Sequence, residues 1–210
     1  MRRIILIAAA ILLTNIAFAQ PYIITQSDKD RAAEIVSKMT LDEKIAFISG
    51  KDDGFHTQSI PRLGIPSVRM ADGPQGVRNN TYSTYYPCGI GLAASFNRDV
   101  AKGVGDGIGL DATARGVRIM LCPGVNIYRS PLCGRNFEYY GEDPFLTSEI
   151  ALNYIQGIQQ HRVMATIKHF ALNNQEYQRH RVGSVADERT LNEIYFPAFR
   201  KAVEQGMWLL

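Results

Sequence analysis

The run Val163-Met164-Ala165-Thr166-Ile167 is apolar and rich in β-branched side chains, and it ends abruptly at the charged pair Lys168-His169. Such a run reads as a buried strand, and its end delivers the charged pair to one edge of a sheet. On its N-terminal side, Glu142 to Gln160 reads as a helix, with Ile150, Tyr154, Ile155 and Ile158 returning to one side. Before that helix, Val117 to Leu121 is a second strand, broken by Pro123, and Asn97 is placed to cap a helix running to about Arg115. A third run, Val68 to Met70, stops at Ala71-Asp72-Gly73-Pro74, which puts Asp72 on the loop beyond a strand. Downstream, Asp187 can cap a helix from Glu188 to Glu204, and Met207 to Leu210 begins another apolar run. Strands alternating with helices argue for an α/β fold, with a parallel sheet and crossover helices, open or closed into a (β/α)8 barrel. In a closed barrel the loops after the strands hold the active site, which is where the polar residues of this chain gather.

The two ends frame this pattern. Arg2 and Arg3 precede an apolar stretch, Ile4 to Leu13, that is too short to span a bilayer, and Ala17-Phe18-Ala19 has the small-x-small form of a signal peptidase site. Residues 1–19 are therefore expected to be a cleaved signal peptide, with residues 20–210 forming a periplasmic or secreted chain that has no membrane attachment after cleavage. Ser27 to Ser49 reads as two helical pieces. The first carries Ile35, Val36 and Met39 on one face; the second opens on the capping box Thr40 to Glu43 and stops at Gly50. With Arg2 and Arg3 in the leader, 21 of the 23 basic residues stay in the mature chain against 20 acidic ones. That balance, with no basic block, gives no footprint for nucleic acid or an anionic membrane. Cys88, Cys122 and Cys133 make no disulfide framework, and their odd number leaves at least one free thiol.

Three segments have the residue types for chemistry on a polyol. Asp72, in a Gly-Pro turn, can accept hydrogen bonds from two neighbouring hydroxyls, although an Asx turn that only shapes the loop explains it equally well. Gly134 to Pro144 sets Arg135 and Asn136 beside aromatics and acids. Arg135 can donate two bonds from one plane, while Glu138 and Asp143 read as structural partners of nearby arginines. Lys168 and His169 are adjacent donors at a strand end, with Arg179 nearby in a loop rich in amides. Other chemistries lack their signatures. The glycines at 103, 105, 107 and 109 lie within a helix pattern rather than after a strand, no phosphate loop or nucleophile elbow is present, and the four histidines lack metal-ligand spacing.

These segments together resemble glycoside hydrolase family 3. The resemblance runs in order through Ile60 to Pro66, Asp72-Gly73-Pro74 to Arg78, Gly134 to Pro144, Lys168 to Glu176 and Glu188 to Tyr195, covering nearly the whole mature chain. It implies the N-terminal portion of a TIM-like (β/α)8 barrel and retaining, exo-acting hydrolysis of β-linked glucose or xylose, with no cofactor and no metal. It also implies sugar-binding roles for Asp72, Arg78, Arg135, Lys168, His169 and Arg179. Ala171-Leu172-Asn173-Asn174 after the Lys-His pair is similar to the β-glucosidase and β-xylosidase branch rather than the β-hexosaminidase one. The family's nucleophile lies in a later Ser-Asp-Trp and its acid/base Glu in a later domain; this sequence reaches neither. The chain is therefore expected to be an incomplete barrel with open strand edges and no catalytic residue of its own. The alternative is a non-catalytic sugar-binding or interaction protein that reuses half the scaffold.

Overall fold

Two capping boxes open the part of the chain, residues 24–51 and 54–205, that the computed structural model describes. Thr25 and Asp28 exchange side-chain and backbone hydrogen bonds at the start of α1 (Gln26–Lys38), and Thr40 and Glu43 do the same for α2 (Leu41–Ser49). Neither helix fully buries a residue; on the face of Ile35, Val36 and Met39, Val36 is exposed and the other two are only partly covered. The segment expected to be a signal peptide and the apolar run from Met207 lie outside the described residues.

Three parallel strands, β1 (Met70–Asp72), β2 (Ile119–Leu121) and β3 (Met164–Ala165), lie side by side in that order. Met70 pairs with Ile119 and Ile119 with Met164. The first crossover holds α3 (Gly89–Ala93) and α4 (Arg98–Ala114), and the second holds α5 (Pro144–Gln159). β1 sits two residues later than the sequence suggests. The Met70 N–H and the Val68 carbonyl are taken by Phe55 and Thr57, so the first half of the apolar run pairs with that segment instead. Asp72 is consequently the last residue of the strand and not part of the loop beyond it.

The helix starts follow local chemistry. Asn97 accepts from the N–H groups of Asp99 and Val100 at 2.8 and 3.3 Å, satisfying two of the donors that a helix start leaves open. Asp143, expected to pair with an arginine, caps α5 instead, accepting from Phe145 and Leu146 at 2.7 and 3.3 Å, with Pro144 as the first helical residue. The single helix expected over Glu188–Glu204 is broken. α6 (Glu188–Thr190) runs into a π turn over Leu191–Tyr195, and α7 (Pro197–Glu204) restarts after it. Pro197 has no N–H to offer the carbonyl four residues back, and its ring crowds that carbonyl, so the continuous ladder cannot form. The short α3, which no cap or periodicity announced, buries Leu92 and Ala93.

The core is the seam between α4, α5 and the sheet. Ala101, Ile108 and Ala112 from α4 meet Ile150, Tyr154, Ile155 and Ile158 from α5 over Met120 and Ala165, all at most 1% exposed. Each fully buried aliphatic side chain contributes about 1.5–3 kcal/mol. The two helices touch main chain to main chain. A Cβ on Gly105 would lie 2.1 Å from the Tyr154 carbonyl oxygen, and one on Gly157 would lie 2.2 Å from that of Lys102. The buried Tyr154 hydroxyl donates to the Pro74 carbonyl at 2.9 Å, which fastens the turn after Asp72 to α5.

Candidate functional site

The C-terminal ends of β1 and β3 open onto a pocket of about 1200 Å³, and all six residues expected to bind sugar line it: Asp72, Arg78, Arg135, Lys168, His169 and Arg179. Lys168 is placed by its backbone. Its N–H donates to Pro123 at 2.9 Å and its carbonyl accepts from Val125 at 2.7 Å, which extends the parallel pairing past β2. The bonds Lys168–His169 and Phe170–Ala171 are both cis. Asn126, 1% exposed, holds the turn that follows, donating to the carbonyls of His169 and Ala171 at 2.9 and 2.7 Å and accepting from the His169 N–H at 3.2 Å.

A continuous set of charged contacts crosses the pocket wall. Lys168 Nζ reaches Asp72 Oδ1 at 2.6 Å, and Arg78 closes on the other carboxylate oxygen. Burial works to raise the Asp72 pKa, but the Lys168 hydrogen bond and charge, with Arg78 behind them, outweigh it and hold the carboxyl below its ordinary value. Glu138, buried among these cations, pairs with Arg135 and stands 3.7 Å from Lys168. Glu176 joins Arg135 at 3.5 Å to Arg179 at 3.1 Å. The last contact places Arg179 at the rim, tied to the inner residues only through Glu176.

His169 departs from its expected role as a donor. Arg135 Nη2 lies 2.8 Å from His169 Nε2, and a guanidinium only donates, so that ring nitrogen accepts. Burial first, then the charges of Arg135 and Lys168, lower the imidazole pKa to about 4, so the ring is neutral at pH 7. In the unfolded chain the same histidine titrates at its ordinary value of about 6.5. Between those two values the unfolded chain binds a proton that the folded chain does not, so stability falls as the pH drops from 6.5 towards 4. Asp72 acts in the same direction only below that window, because its carboxyl is held under its ordinary value in the folded chain. We expect the urea midpoint to decline through this window and His169→Gln to flatten the decline; equal slopes for the two proteins would refute the assignment.

Glu138 pairs with an arginine as the sequence suggests, Arg135, but sequence reasoning missed its approach to Lys168, Glu176 as the link to Arg179, and Asn126 as the loop clamp. Glu138 and Glu176 stood inside the quoted segments, but only their spatial neighbours show what they do. Among the described residues, no group of three or more His, Cys, Asp or Glu side chains is placed to hold a metal ion.

Comparison with known proteins shows the family. The Glycosyl hydrolase family 3 N terminal domain matches residues 43–209. The chain is 47% identical over 185 residues to thermostable β-glucosidase B of Acetivibrio thermocellus, an alignment covering 82% of this chain and 24% of that protein. It is 45% identical over 197 residues to the β-glucosidase BoGH3A of Bacteroides ovatus, covering 87% and 26%. Among solved structures, β-glucosidase 3B from Thermotoga neapolitana in complex with glucose superposes with a TM-score of 0.77 at 39% identity, over 84% of this chain and 28% of that one. DesR, a β-glucosidase from Streptomyces venezuelae in complex with D-glucose, gives 0.78 at 42% identity, over 84% and 24%. The chain thus spans about a quarter of the length of these relatives, and the strand–helix alternation with a small parallel sheet is part of the barrel-like α/β fold of that domain. A domain match over most of the sequence and identities above 40% to curated enzymes make the chain a member of glycosyl hydrolase family 3.

Proposed function

We propose that the pocket is the sugar-holding part of the active site of an exo-acting, retaining β-glycosidase that takes β-linked glucose, or the related xylose, at the non-reducing end. The observation that carries this reading is Asp72, an ionised carboxylate on the pocket wall, gripped by Lys168 at 2.6 Å and by Arg78. A carboxylate so held accepts hydrogen bonds from two adjacent sugar hydroxyls, and charge-assisted bonds of this kind are roughly twice as strong as neutral ones. Lys168 has three N–H donors and uses one on Asp72, which leaves donors for a sugar oxygen. The rim arginines, Arg78 and Arg179, add fork-shaped donors, and the glucose-bound structures among the relatives support glucose as the ligand.

Retaining hydrolysis needs a nucleophile and an acid/base carboxyl about 5 Å apart across the glycosidic bond. Asp72, Glu138 and Glu176 are each engaged by a cation, so none is free to attack an anomeric carbon. The reading therefore assigns both catalytic carboxyls to polypeptide beyond these 210 residues and no cofactor to the reaction. Titration calorimetry should show the 210-residue protein binding glucose, while aryl β-glucosides and β-xylosides should be turned over no faster than in buffer. A folded protein that ignores glucose would remove the sugar site. Robust turnover abolished by Glu138→Ala would show that the carboxylate roles are wrong.

We also propose that the protein works in the periplasm or outside the cell, on the strength of the basic start, the apolar run and Ala17-Phe18-Ala19. Intact mass of protein expressed in a Gram-negative host should begin at Gln20; a cytoplasmic species retaining Arg2 would contradict export.

A further inference from the structure

We propose that Tyr139 is a positioning residue for the sugar site: its hydroxyl accepts the Nδ1–H of His169 and thereby commits Nε2 to holding Arg135 in the pocket. The inference rests on the sugar-site reading for its consequence, while the hydrogen-bond assignment stands on geometry alone.

The assignment follows from the two ends of one chain of contacts. At the first end, Arg135 Nη2 is 2.8 Å from His169 Nε2 and has no lone pair to offer, so Nε2 carries no hydrogen. At the other end, Asn173 Nδ2 is 3.2 Å from Glu176 Oε1. A carboxylate only accepts, which fixes that side-chain atom as the amide nitrogen. The same Nδ2 donates to the Tyr139 hydroxyl at 3.2 Å, and the Asn173 carbonyl accepts from that hydroxyl at 3.1 Å. The one hydroxyl hydrogen is thus spent on Asn173, and towards His169 Nδ1, at 3.1 Å, the oxygen offers only a lone pair. Nδ1 must then carry the hydrogen. The opposite tautomer would set an N–H against the Arg135 N–H, two donors 2.8 Å apart, and a charged imidazolium would do the same.

Burial makes the arrangement rigid. The Tyr139 side chain is 0% exposed, and its ring lies so close to Gly124 that a Cβ there would sit 3.0 Å from it. The His169 ring meets the tyrosine ring edge-on with centroids 6.0 Å apart, and Asn126 clamps the backbone on both sides of the histidine. With both rings fixed, the hydroxyl hydrogen decides the tautomer, and the tautomer decides whether Arg135 Nη2 has an acceptor. Without it, the guanidinium keeps Glu138 at Nε and the longer contact to Glu176 at Nη1, and its third nitrogen is unheld.

The test is the imidazole ¹⁵N spectrum of His169 in the 210-residue protein at neutral pH, assigned by its loss in His169→Gln. The expected spectrum shows Nδ1 at the protonated end of the range and Nε2 at the unprotonated end. In Tyr139→Phe both nitrogens should move to intermediate positions as the tautomers interconvert. Glucose affinity should fall roughly three- to tenfold, the size of one lost hydrogen bond. A wild-type spectrum with hydrogen on Nε2, or on both nitrogens, overturns the proposal whether or not Tyr139→Phe folds. A folded Tyr139→Phe protein with an unchanged spectrum overturns it too. If the wild-type tautomer is as assigned but glucose does not bind, the hydrogen-bond assignment holds and the sugar-site reading alone fails.

Discussion

Asp72→Ala is expected to abolish measurable glucose binding by the 210-residue protein and to lower kcat/KM by about three orders of magnitude in any longer polypeptide that carries this domain and the catalytic carboxyls. The substitution removes two oxygens that would accept sugar hydroxyls, at about 1.5–3 kcal/mol for each hydrogen bond to a charged group. It also releases Lys168 and Arg78 from the carboxylate that positions them. Two such bonds lost amount to roughly 3–6 kcal/mol, which is about two to four decades in affinity or rate. Lys168→Met should follow it closely, because the methionine keeps the stem and removes the donors. If the contacts strengthen as positive charge develops on the sugar ring, the loss will appear in kcat and not only in KM. Isothermal titration reads the first effect, and steady-state kinetics on an aryl β-glucoside read the second. Glucose binding within threefold of wild type in both variants would show that the ligand sits elsewhere.

The second large effect is on stability. Glu138 is 2% exposed and is the carboxylate shared by Arg135 and Lys168, whose side chains are 17% and 12% exposed. Glu138→Ala removes the carboxylate between two largely enclosed cations, leaving Arg135 only the longer contact to Glu176 at 3.5 Å and Lys168 only Asp72. Breaking a buried ion pair by removing one partner costs about 3–5 kcal/mol, a large share of the 5–15 kcal/mol that holds a typical domain folded. We therefore expect the variant to unfold at a much lower urea concentration than wild type. Adding Arg135→Met to Glu138→Ala should recover part of the loss, since it removes one stranded charge and fills the space with an apolar chain. A single-variant loss under 1 kcal/mol, or no recovery in the double variant, would mean that Glu138 is screened by solvent rather than enclosed.

What could be read in the sequence was whatever depends on near neighbours. Asn97, Thr40 with Glu43, and Asp187 announce helix starts because a cap needs only the next three residues, and each cap forms as expected. The strand order follows from alternation, and the three parallel strands appear in sequence order. Errors came where a distant partner intervened. Phe55 and Thr57 took the polar groups of Val68 and Met70 and moved β1. Pro197 is the local exception: it splits a helix whose apolar pattern runs through it, a break that periodicity alone does not register. The pocket shows the same division. The six residues picked from strand ends and loops line one cavity. Glu138 was legible as the partner of an arginine, three residues away, but its reach to Lys168 and the roles of Tyr139, Asn173 and Glu176 were not, because a buried hydrogen-bond chain is defined by which atoms face each other across 30 or more positions of sequence, as Tyr139 and His169 do.

The contact of α4 with α5 has a consequence of a different kind. Where Gly105 and Gly157 let the two main chains meet, the spacing between the helices is set by peptide atoms and not by side-chain size. Side chains elsewhere along the seam can be exchanged for others of similar bulk and the gap will not change, because a backbone cannot be repacked. The pair acts as a fixed gauge. It fixes the seat of α5, the helix whose Tyr154 fastens the turn after β1. Over evolutionary time the outer faces of both helices are free to drift, while these two positions stay restricted to residues without a side chain. A lineage that lost either glycine would have to move the two helices apart, and with α5 the turn that Tyr154 holds, whatever it kept of the polar residues in the pocket.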